Sequence, residues 1–195
     1  LLLSGPLGTG VLFAAAMAGA ARPGWIDAAL ETMQRSQAPL VELLSVHGCH
    51  ACTDVTGFGL LGHLGEMLAA GGAGARSGGD VLGPAGVAED RAAAEVEDED
   101  GNQDSRGGAR GRPDARRGAP HPTVQIDPRR IPAFTGALEL LDQGWASTLA
   151  PANGRALALL EGPVRLVGEA TAVVKALLID PQTCGPLLAA LPAEQ

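Results

Sequence analysis

A carboxylate, hydroxyl groups and glycines crowd together in Thr53-Asp54-Val55-Thr56-Gly57-Phe58-Gly59, and an apolar run, Leu60-Leu61-Gly62-His63-Leu64, follows at once. Read locally, Asp54 ends a strand, the glycines let the backbone come close to a neighbour, and the run beyond them begins a helix whose amino end is open. Such a unit suits Mg²⁺ and phosphate: Asp54 offers hard oxygen ligation, while the amides from Gly57 to Leu60 can face an anion. Thr53, Thr56, Gly57 and Gly59 are the candidate phosphate-side residues. Spacing alone equally allows a plain connection in which Asp54 caps the turn. His63 reads as a packed or surface helix histidine in preference to a phosphate contact. Asn153, closing Pro151-Ala152-Asn153, reads as a cap for a helix beginning near Gly154.

Cys49 and Cys52, flanked by His47 and His50, form the other cluster with possible chemistry. Zinc needs a tetrahedral set, and in a strand these four side chains alternate between faces. A buried strand carrying two small thiols is therefore preferred to a metal site.

The elements that must position these groups follow from periodicity. Leu1 to Leu3 suits a short strand ended by Ser4-Gly5-Pro6, and Thr9 is placed to cap a helix running to Met17. A second helix fits Ile26 to Leu44, kinked or split by Pro39. His47 to Val55 reads as a strand, Thr56 to Gly59 as a turn, and Leu60 to Ala70 as a helix closed by Gly71-Gly72. Later, Val124 and Ile126 alternate with polar neighbours as a half-buried strand, Thr135 to Leu141 suits a short helix, Val164 to Val167 and Val173 to Ile179 suit strands, and Leu187 to Leu191 opens a last helix.

Between these parts, from Ala73 to Pro122, the chain is rich in glycine, alanine and charge, with acidic residues first and arginines after. Too few apolar residues are present to offset the entropy of ordering, so a disordered insertion is expected, with an arginine-rich interaction segment as the sharper alternative. The expected organisation is one α+β domain, sandwich-like, formed by residues 1–72 and 123–195 around the insertion 73–122. The chain has 195 residues, 46% of them hydrophobic, enough for a buried core, and its formal net charge of -8 argues against nucleic acid as a partner. Three cysteines without a secretory signal point to a reducing, cytoplasmic compartment, and no apolar run approaches a membrane span. An opening in Leu1-Leu2-Leu3 without an initiating Met reads as the start of a fragment.

As a string, Cys52-Thr53-Asp54-Val55-Thr56-Gly57-Phe58-Gly59-Leu60-Leu61-Gly62-His63-Leu64 resembles the signature of the selenophosphate synthetases. Three further segments resemble that family in order: Pro6 to Leu12, Gly136 to Glu139 continuing through Ser147 to Asn153, and Asp180-Pro181-Gln182-Thr183-Cys184-Gly185. The resemblance implies a fold like the carboxyl-terminal half of the PurM and aminoimidazole-ribonucleotide-synthetase superfamily. It implies a homodimer that turns ATP and selenide into selenophosphate, AMP and phosphate, with Mg²⁺ held in part by Asp54. It raises Asn153 as a ligand-loop residue. By the same resemblance the nucleophilic Cys or selenocysteine, an essential Lys and the other Mg²⁺-binding aspartates lie upstream, so no catalytic residue is expected within this chain and it is expected to make no selenophosphate by itself. Several positions depart from the pattern: Gly5 stands where Lys is usual, Gln37 where Asn is usual and beside an unexpected Pro39, Cys184 in place of Ser, and Pro186 in place of Gly. Pro186 loses an amide and fixes φ, a change that is harmless if it begins a helix. A related enzyme of purine synthesis and a degenerate module that binds a partner are the competing readings.

Overall fold

The structure is a computed structural model that describes residues 1–71 and 122–193. The disorder expected for 73–122 falls, apart from Pro122, outside the described residues. Strand β1 (Leu2–Leu3) leads to helices α1 (Thr9–Met17), α2 (Pro23–Met33) and α3 (Ala38–Val46), then strand β2 (Ala51–Asp54) and helix α4 (Gly59–Gly71). The second stretch runs β3 (Val124–Ile126), α5 (Ala137–Asp142), α6 (Ala150–Asn153) continuing as a 3-10 helix over Gly154–Glu161, β4 (Val164–Leu166), α7 (Ala172–Ile179) and β5 (Leu187–Ala190). Helices and strands are mixed, as expected. Among the described residues no helix is long and apolar enough to cross a membrane.

Two small sheets organise these elements. β5 is the middle strand of the order β1-β5-β2 and is antiparallel to both neighbours, with Leu2 opposite Ala189 and Asp54 opposite Leu187. β3 and β4 pair in parallel. The main core draws on both stretches of chain: Leu7, Val55, Leu60, Leu61 and Leu64 pack with Val164, Leu177, Leu178 and Leu188. Burying such a side chain fully is worth about 1.5–3 kcal/mol, so the two stretches depend on each other for stability.

Several elements differ from the sequence reading. Leu187 to Leu191 does not open a helix. It forms β5, whose run is continuously apolar because both of its faces are covered: Leu188 enters the main core, while Leu187 and Ala189 pack with Leu44 on the other side. Val173 to Ile179 is not a strand but α7, because the Thr171 hydroxyl accepts from the Val174 amide and caps a helix that buries Leu177 and Leu178. The expected long second helix is split before Pro39 into α2 and α3, with Pro39 in the first turn of α3, where its absent amide costs nothing. Thr9 is not a cap; Gly8, at φ 114, holds that position. The strand expected from His47 is shortened to β2, since α3 runs to Val46 and Gly48 turns the chain at φ 66.

Candidate functional site

β2 delivers Asp54 to the rim of the first sheet. Along it Cys52 and Asp54 are exposed, whereas Ala51 and Thr53 lie on the opposite, partly covered face. The Thr53 side chain therefore points away from that of Asp54, and its hydroxyl donates to the Asp54 carbonyl at 3.3 Å.

The turn after Asp54 is held from several sides. The Val55 side chain is buried and its amide donates to the Pro186 carbonyl at 2.8 Å. The Thr56 carbonyl accepts from the amides of Gly59 and Gln182, each at 3.0 Å. The Asn153 Nδ2 donates to the carbonyls of Gly57 (2.8 Å) and Ile179 (3.0 Å). Asn153 stands at the N-cap position of the 3-10 helix that begins at Gly154, as expected, but its side chain makes no capping bond: the buried amide ties the turn to the end of α7. Of the two glycines only Gly59 is demanded by geometry. It has φ 70, and a Cβ there would sit 2.8 Å from the Ile179 carbonyl carbon, so the close approach it permits is to the chain itself. A Cβ on Gly57 would meet nothing nearer than Leu149 Cδ1 at 4.0 Å.

His63 is packed, as expected. Its Nε2 lies 3.1 Å from the Thr56 hydroxyl and its Nδ1 2.9 Å from Glu66 Oε2, and its ring tilts against Phe58. Asp54, Thr56, Gly57, Gly59 and Asn153 consequently share one neighbourhood around the amino end of α4, and Thr53 contributes backbone there but turns its side chain elsewhere.

A buried polar clasp, not foreseen from the sequence, lies beside this turn. The Gln182 Oε1 accepts from the Gly8 amide (2.9 Å), the Thr9 amide (3.2 Å) and the Thr9 hydroxyl (3.2 Å), while its Nε2 donates to the carbonyl and carboxylate of Asp180. The Asp180 Oδ2 accepts from the Val11 amide at 3.2 Å. These side chains satisfy the first-turn amides of α1 that a helix leaves orphaned. Burial pushes the Asp180 carboxyl up to about 6, against the opposing pull of the Val11 amide, Gln182 and the Gly10 amide. Its Oδ1 has no partner in good hydrogen-bonding geometry among the described residues. The Pro6-to-Leu12 and Asp180-to-Gly185 strings are therefore two halves of one contact. The signal that could have revealed it is the pairing of an acid and an amide with a glycine-rich helix start.

Cys49 and Cys52 do not share a buried strand. Cys49 precedes β2, and its thiol donates to the Ala51 carbonyl at 3.2 Å; Cys52 is exposed on the strand. Partial burial pushes the Cys52 thiol up, helped by Cys49 and Asp54 nearby. Among the described residues no group of three His, Cys, Asp or Glu side chains gathers to hold a metal ion.

Four of the departures from the family pattern, Gly5, Gln37, Cys184 and Pro186 but not Pro39, line one surface cavity of about 340 Å³ together with Ser4, Arg35 and Ser36. Gln37 is built into its wall: its Oε1 accepts from the Ser4 hydroxyl at 2.7 Å and its Nε2 donates to the Gly185 carbonyl at 3.0 Å. Cys184 is the described non-glycine residue with positive φ, at 49. Pro186 leads into a strand, not a helix, so its lost amide lies at the start of β5.

The profile of the family described as "AIR synthase related protein, C-terminal domain" matches residues 1–100. This chain belongs to that family. As an AIR synthase related domain it is similar to proteins named selenide, water dikinase. That of Pseudomonas straminea is 30% identical over 188 residues, covering 96% of this chain and 38% of the relative. Shorter matches link it to the selenide, water dikinases of Desulfitobacterium hafniense, 45% identical over 67 residues (34% of this chain, 20% of the relative), and Photorhabdus laumondii, 47% identical over 72 residues (37% and 21%). The chain therefore spans at most 38% of the length of these relatives.

Proposed function

We propose that this AIR synthase related domain is the carboxyl-terminal part of a selenide, water dikinase, in which it forms the Mg²⁺-nucleotide side of the site that makes selenophosphate from ATP, selenide and water, releasing AMP and phosphate. One observation carries the reading: an exposed carboxylate, Asp54, ends a strand beside a turn that Asn153, Gly59 and Gln182 hold in a single shape. A lone carboxylate is a poor cage for most metals but suits Mg²⁺, which keeps several waters and takes one or two carboxylates together with phosphate oxygens. Asp54 would hold it. Bound there, Mg²⁺ supplies neutralisation of the charge that develops on a transferring phosphoryl group. The residues of the chain do the positioning: Thr56, Gly57 and Gly59 shape the amino end of α4 against the nucleotide, Asn153 fixes the turn, and Thr53 braces the Asp54 backbone. A homodimer with the layers of a sandwich, a cytoplasmic location and no contact with nucleic acid complete the reading.

The second reading is a degenerate domain that binds a partner, and it is favoured by the clustering of Gly5, Gln37, Cys184 and Pro186 in one cavity. Fusing the chain to the amino-terminal half of the Pseudomonas straminea relative and measuring selenide-dependent AMP formation separates the two. AMP that requires selenide and Mg²⁺ supports the enzyme. A folded fusion that binds no nucleotide supports the degenerate module.

A further inference from the structure

Thr56, His63 and Glu66 form a hydrogen-bonded chain from the half-buried turn to the surface of α4. The direction of its protons can be worked out from the far end. A carboxylate only accepts, so the Glu66 Oε2 that lies 2.9 Å from His63 Nδ1 requires a proton on Nδ1. A ring that carries this proton alone has a bare Nε2. In that tautomer the Thr56 hydroxyl, 3.1 Å from the nitrogen, is the donor. With its single proton directed inward, Thr56 shows only lone pairs to the turn and the space outside it.

We propose that His63 and Glu66 are positioning residues that make Thr56 a hydrogen-bond acceptor, and that the ligand group held by Thr56 is a water molecule and not an unprotonated phosphate oxygen. The inference rests on the reading of this turn as a nucleotide site and narrows it: phosphate oxygens fall to the turn amides and to the cation side of Asp54, while Thr56 receives an O–H. Two features of the surroundings agree. His63 is 6% exposed, so bulk solvent does not scramble its hydrogen bonds. The Phe58 ring, 5.5 Å from the imidazole, closes one side of the pair. A water that donates one proton to Thr56 keeps its own lone pairs free, the orientation wanted in a reaction that consumes water.

The first test needs no ligand. The full chain has four histidines, so nitrogen-15 spectra of the protein, compared with a His63→Gln variant, assign His63 directly. The expected result is a ring that carries its proton on Nδ1 and leaves Nε2 bare, and a shift towards mixed tautomers in Glu66→Leu. A ring protonated on Nε2 overturns the proposal, as does a tautomer that Glu66→Leu leaves unchanged. Because Glu66 is half exposed, the second variant should keep the fold, which its circular dichroism checks. The other arm uses Mg²⁺ with inorganic pyrophosphate, and Mg²⁺ with ATP or its 2′,3′-dideoxy analogue, on the fusion protein and its Thr56→Val variant. Pyrophosphate affinity should stay within about twofold, since no hydrogen bond to phosphate is lost; a fall of about tenfold or more, the worth of one such bond, overturns the proposal. Any loss with ATP should be equal for the dideoxy analogue, and a loss confined to ATP would assign the donor to a ribose hydroxyl and contradict the water. If the unmodified fusion binds none of these probes, the nucleotide reading fails while the tautomer result stands on its own.

Discussion

Replacing Gln182 by Leu should destabilise the domain strongly. Gln182 is 4% exposed and spends both ends of its amide: Oε1 takes the Gly8 and Thr9 amides and the Thr9 hydroxyl, and Nε2 donates to Asp180. Leucine has similar bulk, so little of the effect is a cavity. What remains are two backbone amides at the start of α1 with no acceptor and an Asp180 carboxylate with one donor fewer. Each orphaned buried group costs about 1–3 kcal/mol, giving about 4 kcal/mol in all, a large share of the stability of an ordinary domain. Urea unfolding followed by circular dichroism measures this, with Gln182→Glu as a control whose penalty should be larger above pH 6, where Asp180 is ionised opposite the new carboxylate. A loss below about 1 kcal/mol for Gln182→Leu would show that water replaces the side chain and that the clasp is not what fixes α1.

Other outcomes follow from the same geometry. Asp180 has its pKa raised from 3.8 to about 6, so the folded state binds more protons than the unfolded one between those values, and its contribution is fully present below pH 3.8 and lost as pH rises through 6. Subtracting the stability curve of Asp180→Asn from that of the parent should show a fall of at most about 3 kcal/mol across this window, and a difference that rises with pH would refute the burial argument. Gly59→Ala should cost about 2 kcal/mol or more in thermal unfolding, through positive φ and the clash with Ile179, while Gly57→Ala should stay within about 0.5 kcal/mol; equal effects would contradict the distinction drawn between the two glycines. Asn153→Ala should cost about 2 kcal/mol by leaving the Gly57 and Ile179 carbonyls without their shared donor, and hydrogen exchange should quicken at the Thr56 to Gly59 turn.

The strand-turn-helix around Asp54 could be read from the sequence because it is local: a polar end, glycines and a long apolar helix occur in immediate succession. α7 and β5 differ from the sequence reading for a physical reason. Val173-Val174 and Leu187-Leu188 belong to short apolar runs whose periodicity does not separate helix from strand, and the outcome is set by tertiary partners, β1 and β2 on either side of one and the core beneath the other. For α7 a local signal existed in Thr171, three residues before the amide it accepts from. The site divided along the same line. Asp54 and Thr56 stand in sequence beside the turn they serve, but Gln182 and Asp180 meet α1 across the whole chain, and only the folded structure shows that the two motifs are one clasp. Likewise, Gly5, Gln37, Cys184 and Pro186 are scattered in the sequence and line one cavity in the fold.

The most direct measurement is the Mg²⁺ dependence of selenide-driven AMP formation in the fusion carrying Asp54→Asn. Asparagine keeps the size and can still accept a turn hydrogen bond, yet it lacks the charge that hard Mg²⁺ ligation needs. If Asp54 holds the nucleotide's cation, the variant should fold normally, turn over about a hundredfold or more slowly, and need more Mg²⁺ to reach its half-maximal rate. Near-normal turnover with an unchanged Mg²⁺ requirement would contradict the central claim and leave Asp54 as a residue of the turn alone.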